Sequence, residues 1–206
     1  MQHFTIEEIL QLERRKRANM MNYVSGFKSA NLIGTKSAKG QLNLAIFNSV
    51  VHIGANPPYL GFILRPLTVD RHTYQYIKET GCYTINHVHT SFFKAAHQTA
   101  AKYTAKISEF EATGLTPMFK DDFHAPYVAE SKIQMGLELQ EVQHITCNDT
   151  LLVIGKITNL YLPDDSIAED GHLDLSAQGT AAIGGLDTYY KATKLERLAY
   201  AKVAKK

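Results

Sequence analysis

The chain has 206 residues, 45% of them hydrophobic, with 22 lysines and arginines against 20 aspartates and glutamates, a formal net charge of +2. This composition excludes a disordered chain and one built around a concentrated basic nucleic-acid stripe, and no stretch approaches the roughly 20 apolar residues of a membrane span. Two distant cysteines, Cys82 and Cys147, fit neither a disulfide framework nor a zinc site, so both are expected as reduced thiols in the core. A chain of this size can build a core without a staple, so one domain is expected over residues 1–206, and without an apolar leader the cytoplasm is its default address.

Thr5-Ile6-Glu7-Glu8 reads as a capping box that opens an N-terminal helix, within segment 1–22 and running to about Asn22. Its Arg14-Arg15-Lys16-Arg17 cluster follows Glu7, Glu8 and Glu13 and reads as a solvated face. From Ser29 the pattern turns to β: an apolar run through Thr35, a turn at Ser37-Ala38-Lys39-Gly40, and a second run through Ile53 predict a hairpin with an irregular second arm. Asn56-Pro57-Pro58 must interrupt a ladder, and the run from Tyr59 to Arg65 predicts a short buried strand.

Asp70 is placed to cap a helix through Thr80 that stops at Gly81, and the run from Cys82 to Val88 alternates at strand period. Helical spacing recurs from Ser91 to about Tyr103 and from Ile107 to Ala112, the second ended by Gly114. Residues 115–126 read as a loop, 127–145 and 150–162 as a long hairpin, 163–180 as a polar loop, and 194–203 as a last helix within segment 193–206. Single helices between many strands predict a mainly β architecture with inserted helices, closed as a partly open barrel rather than a doubly wound sheet. Neither GxGxxG nor a Walker sequence is present.

Two polar sets could carry chemistry. Asn43-Leu44-Ala45 with Ser49, just before the diproline, either caps turns or lines a pocket where freed amides meet a polar ring edge or a phosphate. Arg65-Pro66-Leu67-Thr68-Val69-Asp70-Arg71-His72-Thr73 leads into a helix N-terminus. It is either an ordinary capped helix or a phosphate pocket built from first-turn amides, guanidinium groups and hydroxyls. Nine histidines, among them His87, His89, His97, His124, His144 and His172, show no metal-ligand spacing and are expected at the surface or lining a pocket.

With these runs in view, the chain resembles the flavin reductase-like FMN-binding proteins of split β-barrel fold, over most of its length. The likeness rests on Asn43-Leu44-Ala45 with Ser49, Asn56-Pro57-Pro58, Arg65 with His72-Thr73, and Gly81-Cys82-Tyr83-Thr84-Ile85-Asn86. Glu109-Phe110 with Gly114-Leu115, Pro126 through Ser131, and Gly184-Gly185 before Tyr189 and Tyr190 extend it.

The resemblance implies a homodimer with FMN held by Thr35, Asn43, Leu44, Ala45, Ser49, Arg65, Arg71, His72, Thr73 and Tyr189. The phosphate would lie at the helix start and the ring along 43–49. It implies hydride transfer from NADH or NADPH to flavin N5, reducing a flavin or another small acceptor, with no catalytic side chain and no metal. Family members that use a reduced nicotinamide often carry Gly-Asp-His where this chain has Asn148-Asp149-Thr150. An FMN-binding electron-transfer or carrier protein without its own nicotinamide site therefore stands as the alternative.

Overall fold

The structure, a computed structural model, describes residues 1–104 and 106–203. The capping box forms as expected: the Thr5 hydroxyl accepts from the Glu8 amide, and the Glu8 carboxylate accepts from the Thr5 amide at 2.7 Å. It opens α1 (Ile6–Gln11), which ends at Leu12 where one long helix was expected. Glu13 restarts the chain as α2 (Arg14–Val24) because its carboxylate accepts from the Arg15 and Lys16 amides and competes with helix continuation. Arg14, Arg15 and Lys16 are exposed, while Arg17 turns back onto the Leu10 carbonyl at 2.5 Å.

Twelve strands follow: β1 (Lys28–Ser29), β2 (Asn31–Lys36), β3 (Leu42–Phe47), β4 (Val51–Ala55), β5 (Pro58–Leu64), β6 (Cys82–His87), β7 (Pro117–Met118), β8 (Tyr127–Val128), β9 (Gln134–Ile145), β10 (Thr150–Tyr161), β11 (Ala181–Gly184) and β12 (Thr188–Lys191). Three more helices interrupt them: α3 (His72–Thr80), α4 (Phe93–Gln98) and α5 (Glu109–Thr113). Seven strands form one antiparallel sheet in the order β3-β2-β6-β9-β10-β5-β4, and β1-β11-β12 form a second. This is the mainly β architecture with inserted helices, and the arm after Gly40 breaks into β3 and β4 around Asn48-Ser49. The diproline sits at the β4–β5 turn, with a cis Asn56–Pro57 bond and Pro58 already paired with Ala55.

Strand β2 is buried on both faces, so alternate side chains serve two cores. Leu32 joins Leu44, Phe110 and Ile183 on one side, and Ile33 joins Phe62, Tyr83 and Val153 on the other. The αL stop at Gly81 ends α3 as expected, with φ +74°.

Several expectations fail for physical reasons. Cys82 is half-buried and Cys147 exposed, because the latter lies in the turn between β9 and β10 rather than in the core. The helix expected over 194–203 does not form, the segment having no regular secondary structure, and residues 204–206 of the expected C-terminal segment lie outside the described residues. Its apolar side chains Leu195, Leu198, Tyr200 and Val203 find nothing to bury against among the described residues, and an isolated short helix without a docked face is marginal. The segment is instead tied down by the ion pairs Lys194–Asp174 at 3.0 Å and Arg197–Asp170. The 91–103 helix shrinks to α4, and β11 and β12 occupy a stretch for which the sequence offered no clear period.

Candidate functional site

The two polar runs meet in one cleft of about 820 Å³. Strand β3 and the residue after it run along the cleft from Asn43 to Asn48, six residues spanning roughly 17 Å at strand rise. Each end of the strand is tied to a different element. At one end Asn43 donates from Nδ2 to the hydroxyls of Thr35 and Thr73, both at 3.0 Å, which fixes the strand to the first turn of α3. At the other, Asn48 donates from Nδ2 to the Gly185 carbonyl at 2.7 Å, which ties the strand to the turn between β11 and β12.

The α3 end could hold an anion. Asp70 does not cap the helix; Arg71 occupies that position and makes no side-chain cap bond, so first-turn amides are left without a capping side chain. No acidic side chain lies in the first turn. Arg71 lines the cleft, and its Nε is buried without a partner. His72, stacked against Tyr76, and Thr73 complete this end, and exposed Arg65 lines the cleft where the chain leaves β5.

Facing the strand is a carboxylate that sequence reasoning did not single out as a site residue. Glu109, 8% exposed, lines the cleft and accepts from the Leu44 amide through Oε2 at 2.9 Å. β3 is a sheet edge, so this outward amide needs such a partner. Burial raises the Glu109 carboxyl above its ordinary value, opposed by hydrogen bonds from backbone amides and by the nearby His72. Residues 99–104, Ile183 and Leu186 also line the cleft and were missed, being separated from β3 by 50 residues or more and carrying no local motif.

Of the ten expected residues, Asn43, Ala45, Ser49, Arg65, Arg71, His72 and Thr73 line the cleft. The Ser49 hydroxyl is already engaged, donating to the Ile63 carbonyl at 3.1 Å and accepting from the Ile63 amide at 3.2 Å. Thr35 is fully buried behind the cleft and holds Asn43. The side chain of Leu44 points into the core, as strand alternation requires, and only its backbone bears on the site. Tyr189 does not line the cleft: its hydroxyl meets His97 Nδ1 at 3.1 Å, and burial pushes its phenol up to about 12. His87 does not line the cleft either; burial depresses it to about 4, and it stays neutral near pH 7.

A cleft of this size, with an apolar strand along it and an uncapped helix start bearing an unpaired guanidinium Nε, fits a flat ring carrying a phosphate. The profile described as "Flavin reductase like domain" matches residues 24–179. The chain belongs to this family. Flavin reductase-like proteins are flavin-related oxidoreductases, and the split-barrel fold is shared with solved relatives. A candidate flavin reductase with a split barrel domain from Shewanella frigidimarina is 52% identical, with a TM-score of 0.94 over 98% of this chain and 100% of that one. Nitrilotriacetate monooxygenase component B of Bacillus cereus superposes with a TM-score of 0.82 at 18% identity, covering 96% of this chain and 98% of its own. Flavoredoxin of Desulfovibrio vulgaris reaches 0.73 at 22% identity over 85% and 92%. These last two likenesses concern the fold alone.

Proposed function

We propose that this flavin reductase-like chain is an FMN-dependent oxidoreductase that uses NADH or NADPH to reduce a flavin or another small acceptor. The observation that carries the reading is the buried, unpaired Arg71 Nε beside the uncapped start of α3, at one end of a cleft long enough for a flavin mononucleotide. In this reading Arg71, His72, Thr73 and the first amides of α3 hold the phosphate dianion. Asn43 and the edge backbone of β3 orient the ring, and residues 99–104 shield it from water. FMN, when bound, would supply the redox chemistry, accepting a hydride and passing electrons on, so no side chain needs to act as nucleophile or base.

Anaerobic addition of NADH or NADPH to the FMN-loaded protein should bleach the visible flavin band within seconds. A loaded protein that neither nucleotide bleaches, but that a reduced redox protein bleaches quickly, would favour an electron carrier. That second reading has its own observation: Asn148-Asp149-Thr150 has no histidine, and Asn148 is engaged in holding the turn through Thr150.

The reading includes a cytoplasmic homodimer of single-domain subunits. Its support is the exposed apolar surface on edge strand β4, where Val51 and Ile53 are 47% and 43% accessible. Sedimentation at micromolar concentration should give twice the chain mass.

A further inference from the structure

The end of the cleft away from α3 is apolar, and its wall is fixed from three directions. Ile46 and Phe47 come from β3, Ile183 from β11, and Leu186 from the turn between β11 and β12. That turn does not depend on its own sequence alone. Asn48 donates to the Gly185 carbonyl from below, and from the N-terminal helix α2 the Tyr23 hydroxyl bonds both Asp187 Oδ1, at 2.9 Å, and the Thr188 hydroxyl. Gly185 has φ +60°, and a Cβ there would sit 2.5 Å from a Tyr23 ring carbon, so the tyrosine ring lies directly on the glycine. One residue further along, Leu186 is held at the cleft while Tyr23, 41% exposed, remains outside it.

We propose that Leu186 is a specificity-determining residue, setting how large a neutral planar ring can enter the apolar end beside the flavin, and that Tyr23 is the positioning residue that holds it there. This rests on the reading that FMN occupies the cleft with its phosphate at α3. The phosphate end then claims Arg71, His72 and Thr73, and Ile46, Phe47, Ile183 and Leu186 offer hydrocarbon to a second substrate beside Asn48 and Ser49, whose side chains are already engaged with Gly185 and Ile63. Such a wall discriminates by volume, since an unsaturated ring gains by contact with a fitted hydrocarbon surface and is excluded where the surface intrudes. Tyr23 acts only through the turn. Losing its hydroxyl leaves Asp187 and Thr188 bonded to each other but no longer to α2 and lets the turn shift, without changing any atom that lines the cleft.

The test is a binding titration, read as the perturbation of the visible FMN spectrum, with nitrobenzene and 1-nitronaphthalene as probes. It uses the FMN-loaded full chain and the variants Leu186→Ala, Leu186→Met and Tyr23→Phe. Leu186→Ala should lower the ratio of the naphthalene to the benzene dissociation constant by about tenfold, the scale at which a hydrophobic pocket discriminates small changes in volume. Leu186→Met, nearly equal in volume, should leave the ratio within about twofold, which also guards against a fold defect in the alanine variant. Tyr23→Phe should move the ratio in the same direction as Leu186→Ala but less far, with FMN affinity unchanged. An unchanged ratio in Leu186→Ala, or a loss of FMN affinity in its place, overturns the proposal. Failure of the unsubstituted chain to take up FMN overturns the cofactor reading and this one with it, whereas FMN uptake with an unaltered ratio overturns this one alone.

Discussion

Arg71 has a buried Nε that donates to nothing among the described residues, and leaving such a donor unmatched costs about 1–3 kcal/mol. Other buried side-chain atoms among the described residues also lack partners, but Arg71 lines the cleft, where a ligand would complete it. If a phosphate does so, Arg71→Ala should weaken FMN binding about tenfold or more, the worth of a hydrogen bond between charged partners, as read by flavin fluorescence quenching. Glu109 is a second residue whose cost is informative. Burial raises its carboxyl above 4.5, so the folded state holds its proton to higher pH than the unfolded chain does. That contribution to stability is complete below the unfolded value and is lost as pH rises through the folded one. Glu109→Gln retains an acceptor for the Leu44 amide without the charge. Its melting temperature relative to the parent should therefore rise between pH 4 and pH 7, and a constant difference would show that the carboxyl is not strained by burial.

At the scale of elements, β3 is both sheet edge and cleft wall. Asn43, Leu44 and Ala45 sit on a regular strand rather than in a turn, and what distinguishes them is that one side of the ladder is left open. The outward Leu44 amide is matched by Glu109, and ladder alternation turns the Ile46 peptide to the same side. Ser49 lines the cleft as expected and also has a structural task. Its hydroxyl stitches the β3–β4 connection to β5 by bonding both polar groups of Ile63, so it organises the wall. Ser49→Ala strands both groups and should cost about 1–3 kcal/mol in urea unfolding, with the m-value unchanged. A Ser49→Ala protein of parental stability but poor FMN affinity would return the hydroxyl to the site.

For the whole molecule, what could be read from sequence was whatever is local. The capping box at Thr5, the αL stops at Gly81 and Gly114, and strand β6 are written within a few residues, and each appears in the structure, although β6 is buried on both faces rather than on alternate residues. The long β9–β10 hairpin was likewise legible because its strands are adjacent in the chain, although its first arm starts at Gln134 rather than at 127, where the separate strand β8 pairs with β7. The second sheet was not, since β1 pairs with β11 across some 150 residues and both are short. The same holds for the site. Residues 43–49 and 65–73 announce themselves by local polarity, whereas Glu109, Ile183 and Leu186 reach the cleft only through the fold, and Tyr189 shared a motif with it yet turned toward His97. The split of the expected N-terminal helix at Glu13 shows the opposite limit, where one side chain accepting from two amides outweighs a continuous helical pattern.

The central claim is that the α3 end of the cleft holds the phosphate of FMN. Equilibrium titration of the cofactor-free protein with FMN and with riboflavin, which lacks the phosphate, tests it directly. Saturable binding of one FMN per chain is expected, at least about tenfold tighter than riboflavin, with that advantage lost in Arg71→Ala. Equal affinity for the two flavins, or no uptake of either, would contradict it.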